Sequence, residues 1–200
     1  TPPAGWTMLG SRVNDNDLIS AVYYRFFQSG DPASFTWTLG ASSRIALSMI
    51  SFRGVDQSNP INTQASQPNA ASTTSTTPAV STTVPNTMLL GLFATRANQT
   101  VTVNAPLTNN FSSASGSGPN GVSQAGGYQA FAGTGSTGTR SATLGSSDSS
   151  IARLIAFRPV YYTVSGTITH NSSGLNNVTV TAGGGYSAST NTDSSGNYSF

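Results

Sequence analysis

Met88-Leu-Leu-Gly-Leu-Phe93 is an uninterrupted apolar run. Such a run reads as a central β-strand covered on both faces, because no polar position is left to face solvent. The segments around it are also β in character. Leu18 to Phe27 is rich in β-branched and aromatic residues and lies between the Asn14-Asp-Asn-Asp17 and Ser29-Gly-Asp-Pro32 turns. Phe35, Trp37 and Leu39 alternate with Thr36 and Thr38. Ile45 to Arg53 repeats that period of two, with Ile45, Leu47 and Met49 on one side. Each of these predicts a strand with one buried face. Gln99 to Val103 and Ile151 to Phe157 complete the clearer strands. Arg158-Pro159 favours a strand for the latter, since proline drives the preceding residue out of the helical region.

Between the strands lie turn clusters at Gly40–Ser43, Gly54–Pro60 and Asn104–Pro106, and residues 112–127 read as a Ser/Gly-rich loop too poor in apolar side chains to pack. Ala71 to Thr87 has two readings. One is a pair of Thr-rich edge strands with Pro78 and Pro85 at their ends, where missing amide donors are tolerated; the other is an O-glycosylated stalk. The expected architecture over residues 1–160 is an all-β, antiparallel sandwich or barrel, jelly-roll-like.

From Thr163 the pattern changes to four short strands: Thr163–Thr169, Asn177–Thr181, Tyr186–Asn191 and Asn197–Phe200. A stub of about 40 residues with few large apolar side chains buries too little surface to fold alone. Residues 161–200 are therefore expected to be a partial β-module, which the resemblance given below implies is immunoglobulin-like or prealbumin-like. Either it is cut short, or a neighbouring molecule supplies the missing pairing.

Lys, Glu and Cys are all absent, leaving eight arginines, six aspartates and a net charge of +2. Ser and Thr make up about thirty per cent of the chain, a hydroxyl-rich surface that points to a secreted or cell-surface β-protein. The arginines are scattered singly, which argues against a nucleic-acid track. No apolar run approaches the eighteen residues of a membrane-spanning helix. Thr1 is not an initiator Met, so the start implies processing or trimming.

Catalysis has few groups to use. His170 is the single histidine and sits in a turn beside Asn171-Ser-Ser-Gly174, a poor place to hold a Ser–His–Asp arrangement rigid. Without Lys, Cys or Glu there is no Ser–Lys dyad, thiolate or Schiff base. Asp15 and Asp17 alternate within an Asn/Asp run, which reads as a turn and alternatively as oxygen ligands for a hard cation. Gly183-Gly-Gly185 precedes a strand, so it does not form a phosphate cradle. No enzyme activity, cofactor or metal is expected. Five Asn-X-Ser/Thr sequons, at Asn98, Asn110, Asn171, Asn177 and Asn197, are candidate N-glycosylation sites. The first three are expected to be accessible and the last two, at strand starts, to be partly covered.

Pro2-Pro-Ala-Gly-Trp6, Val22-Tyr-Tyr-Arg25, Asp31-Pro-Ala-Ser-Phe-Thr-Trp37, Phe52-Arg-Gly-Val-Asp56 with Asn59-Pro-Ile61, and Leu154-Ile-Ala-Phe-Arg-Pro159 resemble a family of β-domains of secreted and surface bacterial proteins and phage-like proteins. In that family one or two strands usually precede the Pro-Pro-Ala-Gly-Trp segment. Val164–Thr169, Asn177–Thr181 and Asp193–Phe200 resemble the front half of a carboxypeptidase-regulatory-like, prealbumin-type module, which implies a stalk or spacer. The organisation is also similar to that of extracellular fibril protomers, in which a terminal strand of one subunit completes the next.

Two functions follow as expectations. The first is a structural subunit of an extracellular helical filament built by donor-strand complementation between copies of the chain. A sandwich missing a strand exposes an aggregation-prone margin that strand addition fills, and head-to-tail addition does not close on itself. With no Lys or Cys, such a fibre has no Lys–Asn isopeptide bond or disulfide. The candidate donor is Trp6, Thr7, Met8 and Leu9, with Pro2 and Pro3 as a stiff leader; Tyr198 and Phe200 are the second candidate. Membership of its own sheet is the competing reading for Trp6. The second function is a carbohydrate-binding adhesin or phage host-recognition module, with Tyr128, Phe131, Tyr161 and Tyr162 stacking on glycans. Both place the protein outside the cell or on its surface.

Overall fold

The computed structural model describes residues 1–15, 18–40, 43–183 and 187–200, with the backbone alone at Asp15, Asn109 and Asn110. The described residues are all-β apart from one 3₁₀ turn at Gly118–Asn120. The chain divides into two compact units, Thr1–Val160 and Tyr161–Phe200.

The first unit contains β1 (Thr7–Met8), β2 (Val13–Asp15), β3 (Leu18–Ser20), β4 (Tyr23–Tyr24), β5 (Ile61–Thr76), β6 (Ser81–Thr82), β7 (Thr87–Thr95), β8 (Val101–Val103), β9 (Thr108–Ser115), β10 (Val122–Phe131), β11 (Gly135–Ser136) and β12 (Ser141–Phe157). Its principal sheet is antiparallel in the order β5-β12-β7-β10-β9, with β8 added beside β12. The apolar run Met88–Phe93 lies in β7, between β12 and β10, so it is central and covered on both faces as expected.

The register separates the two faces. Leu89, Gly91 and Phe93 stand opposite Ala156, Leu154 and Ala152, while Leu90 and Leu92 stand opposite Ile155 and Arg153. On the first face Leu89, Leu154 and Ala156 bury with Val80, and Phe93 and Ala152 bury with Val101, Val103, Leu107, Ala125, Ala142 and Leu144. β12 and β5 reach this second layer because both bend where their register slips, between Thr143 and Ser150. Bulges of this kind let one strand serve two layers. On the other face Leu90 and Ile155 are covered by Leu9, with Val22, Tyr24, Ile50 and Phe52 packed around them. That covering layer comes from residues 1–56 and, among the described residues, holds two two-stranded pairings, β1 with β4 and β2 with β3, and an isolated bridge from Val55 to Pro159.

Several expectations are corrected. Residues 112–127 are not a loop: they form the end of β9, the 3₁₀ turn and the start of β10. The glycines that suggested a loop are there for close approach. A Cβ on Gly126 would lie 2.5 Å from Phe111 Cζ, and one on Gly127 would lie 2.5 Å from the Thr108 carbonyl oxygen. Of the serines in this stretch Ser112 and Ser117 are exposed, and Ser113 and Ser123 make side-chain hydrogen bonds. Leu18–Phe27 is broken into β3 and β4. Phe35–Leu39 forms no strand; instead Phe35 and Trp37 pack edge-on against Trp6. Within Ala71–Thr87, β5 runs on to Thr76, Ser81–Thr82 pairs with β11, and Thr87 opens β7 opposite Phe131.

The second unit consists of β13 (Ser165–Thr167), β14 (Thr169–His170), β15 (Ser173–Gly174), β16 (Thr179–Ala182), β17 (Ala188–Asn191) and β18 (Asn197–Ser199), paired as β13-β18, β14-β15 and β16-β17. Gly174 and Gly196 allow its chains to cross closely: a Cβ at either would sit about 2.1–2.2 Å from a backbone oxygen. The Asn14–Asp17 turn with its Asp15/Asp17 cation-ligand pair, the Gly40–Ser43 turn, Gly183–Gly185 and the strand start at Tyr186 lie wholly or partly outside the described residues, as does the Asn110 side chain.

Candidate functional site

The two candidate donor segments are both paired within their own units. Thr7 and Met8 stand opposite Tyr24 and Tyr23, and the Leu9 amide donates to the Val22 carbonyl at 2.8 Å. Leu9 is buried on Leu90 and Ile155. Trp6 is half-buried in an aromatic group, 5.3 Å from Phe35 and 5.5 Å from Trp37 between centroids; Arg25 sits over Phe35 and pairs with Asp31. At the other end of the chain Tyr198 pairs with Gly166, and Phe200 exchanges main-chain hydrogen bonds with Val164.

A residue not singled out in the sequence fastens the first segment. Arg153 stands in the middle of the apolar stretch of β12 and is 2% exposed. Its Nη1 donates to the Leu9 carbonyl at 3.0 Å and to Gln64 Oε1 at 2.8 Å, and its Nη2 donates to the Ser11 carbonyl at 2.9 Å. Burial holds this guanidinium below the usual arginine pKa. Gly10, at φ +64°, lets the strap turn beside the clasp; a Cβ there would come within 2.8 Å of Gln64 Nε2.

Ser43–Ser51 behaves differently. It has no strand, turn or bend, and among the described residues it makes no main-chain to main-chain hydrogen bond. Ile50 and the following Phe52 pack inward, Phe52 against the rings of Tyr128 and Phe157. Ser48 and Leu47 are tied down only through side chains: Gln124 Nε2 donates to Ser48 Oγ at 3.2 Å, and Ser113 Oγ donates to the Leu47 carbonyl at 3.2 Å. The expectation that Ile45, Leu47 and Met49 form a buried face is therefore overturned. They are 38%, 55% and 74% exposed, and of their even-numbered neighbours Ala46 and Ile50 are half-buried. Beside the segment a cleft of about 40 Å³ opens over Leu92, Ala94, Gln124 and Ile151, walled by Ser20–Val22.

The principal sheet also leaves two lateral edges. Among the described residues β5 pairs only with β12, and β9 only with β10. Hydroxyl and amide side chains from Gln99, Thr100, Ser112, Ser113, Ser123 and Gln124 line a shallow hollow of about 330 Å³ near the β9 edge. Neither this hollow nor the cleft has an ionisable side chain in its lining, so neither supplies a general acid, base or charged ligand.

Of the aromatics proposed to stack on sugars, Tyr128 and Phe131 are half-buried, the first on Phe52 and the second against the Val80 cluster. Tyr161 and Tyr162 are exposed. Asn98, Asn171, Asn177 and Asn197 are all exposed, including the two expected to be partly covered. Asn98 Nδ2 donates to the Gly116 carbonyl at 2.7 Å. Among the described residues no helix is long and apolar enough to cross a membrane, a statement silent on β-barrels. No protein-family model matches the chain, and neither curated proteins nor solved structures yield a similar one.

Proposed function

We propose that this chain is a structural subunit of a non-covalent, extracellular filament, in which a strand from one copy completes a sheet margin left open in the next. The observation that carries this reading is Ser43–Ser51, a segment that makes no main-chain to main-chain hydrogen bond among the described residues and leaves Ile45, Leu47 and Met49 exposed. Exposed strands of this kind are managed in stable proteins by charge, proline or coverage. This one has a single charged residue, Arg44, and no proline. Strand addition would satisfy its amides and carbonyls and set cross-strand neighbours beside Ile45, Leu47 and Met49. The free edges of β5 and β9 offer further margins for propagation.

The residue chemistry restricts how such an assembly is joined. With no lysine and no cysteine the chain can contribute neither an amine to an isopeptide bond nor a thiol to a disulfide. Cohesion must come from main-chain hydrogen bonding and apolar contact. Negative-stain electron microscopy of the purified protein in reductant tests the reading. Filaments that persist there and dissolve in denaturant support it. Monodisperse monomers at high concentration, with no growth over days, overturn it.

A further inference from the structure

The geometry points to Asn171 as the residue of the folded chain that accepts an N-linked glycan. This goes beyond the filament reading, and neither depends on the other. Asn171 and Ser172 are the two loop residues of the β14–β15 hairpin, in which His170 stands opposite Ser173. Both have positive φ, +48° and +64°, the pattern of a type I′ turn. Asparagine suits such a position for its backbone alone. The turn gives no reason for Ser173, the third residue of the sequon. Its hydroxyl is exposed and makes no hydrogen bond among the described residues.

Transfer joins the carboxamide nitrogen to the anomeric carbon of a sugar carried on a polyprenyl pyrophosphate. The Nδ2–C1 bond forms, the C1–O bond to the pyrophosphate breaks, and one Nδ2 proton passes to a carboxylate of the transferase. The enzyme must therefore take hold of an amide that is free to turn. At Asn171, Nδ2 has one partner, the ring nitrogen Nε2 of the adjacent His170 at 3.1 Å. The other described sequons are exposed but held by bonds to more distant residues. Asn98 Nδ2 donates to the Gly116 carbonyl at 2.7 Å and its main-chain amide to the Gly118 carbonyl at 2.9 Å; a Cβ on Gly121 would lie 2.5 Å from its own. Asn197 is fixed at both ends of its carboxamide. Nδ2 donates to Asp193 Oδ2 at 3.3 Å, and Oδ1 accepts from Thr167 Oγ1 at 2.8 Å. Asn177 Oδ1 accepts from Asn191 Nδ2 at 2.8 Å, and the rest of its sequon runs into the sheet. The Val178 amide donates to Thr192 Oγ1 at 2.9 Å, and Thr179 stands opposite Asn191. Exposure does not separate the four sites; the state of the carboxamide and its flanking main chain does.

The test uses a purified oligosaccharyltransferase that reads Asn-X-Ser/Thr, with its polyprenyl-pyrophosphate sugar. Its acceptors are the folded chain and short synthetic peptides spanning each of the four described sequons, and glycopeptide mass spectrometry reads the product. In the folded chain Asn171 is expected to be modified at least about ten times faster, relative to its own peptide, than Asn98, Asn177 or Asn197, because each of those must first surrender one or two hydrogen bonds. Asn171→Gln and Ser173→Ala are each expected to abolish transfer at the hairpin; the second leaves Asn171 in its turn. Equal relative rates at the four sites overturn the proposal, as does a folded chain bare at Asn171 while its peptide is modified. Continued transfer to Ser173→Ala overturns it too. In protein from its native source, a glycan mass localised to Asn171 and absent from the other three upholds the assignment, and a bare Asn171 overturns it.

Discussion

Replacing Arg153 by methionine should loosen the N-terminal strap without collapsing the sheet, and the size of the effect can be worked from its three hydrogen bonds. Each bond from the guanidinium is charge-assisted, and their gross contribution is of order 1.5–3 kcal/mol apiece. Most of that is offset, because a guanidinium 2% exposed has lost several kcal/mol of hydration. What decides the net cost is which acceptors are left dry. Gln64 is half-buried and Ser11 is exposed, so water can reach both. Leu9 is buried, and its carbonyl is left without a donor. One unsatisfied buried carbonyl costs about 1–3 kcal/mol, and the methionine stem keeps most of the packing. The expected loss in urea unfolding is therefore about 1–3 kcal/mol. Hydrogen exchange should show lost protection at residues 7–11 with residues 88–93 little changed beyond the global shift. Arg153→Met as stable as the natural chain, with residues 7–11 still protected, would refute the view that this side chain fastens the strap.

Leu154→Ala should cost about 2–5 kcal/mol, since Leu154 is fully buried between layers. Met49→Ser, at a site 74% exposed, should stay within about 0.5 kcal/mol in dilute monomer; thermal or urea melts compare the two. Gly127→Ala should be destabilising by about 1–3 kcal/mol despite adding only a methyl group, because that methyl meets the Thr108 carbonyl and Val103. A melt equal to the natural protein's would show that β9 can move aside. In the second unit, Asp193 accepts from the Asn197 and Ser195 amides and from the Asn197 side chain, interactions that hold its carboxyl below the usual aspartate pKa. Because the folded pKa is depressed, the stabilising contribution is present above the ordinary carboxylate value and is lost as pH falls through the folded one. NMR of the Ser195 and Asn197 amides should follow that acid titration, and Asp193→Asn should abolish the pH response. Intact mass of the natively expressed protein checks the exposed sequons at Asn98, Asn171, Asn177 and Asn197: added hexose or hexosamine masses confirm glycosylation, and the bare polypeptide mass rules it out.

Local pattern was informative where burial on two faces leaves a mark in the composition. Met88–Phe93 and Ile151–Phe157 were legible as strands because a residue in a central strand has nowhere polar to point. The absence of Lys, Glu and Cys likewise fixed the available chemistry before any fold was known. Arg153 interrupts one of those runs, and its role depends on carbonyls 142 and 144 residues away, at Ser11 and Leu9. No spacing in the sequence could announce it.

What the amino-acid order settled by itself was the β character of the chain, the identity of its central strands and the limits on covalent and catalytic chemistry. The tertiary structure alone decided three further matters: that the Gly/Ser-rich stretch 112–127 is largely packed sheet, that Leu9 and Ser11 are held by an arginine clasp, and that Ser43–Ser51 makes no main-chain to main-chain hydrogen bond among the described residues. The reason is physical. Alternation along a strand records which way side chains point, a property of nearest neighbours. Whether its amides and carbonyls find partners depends on segments distant in sequence, and a glycine's purpose depends on what lies against its missing Cβ.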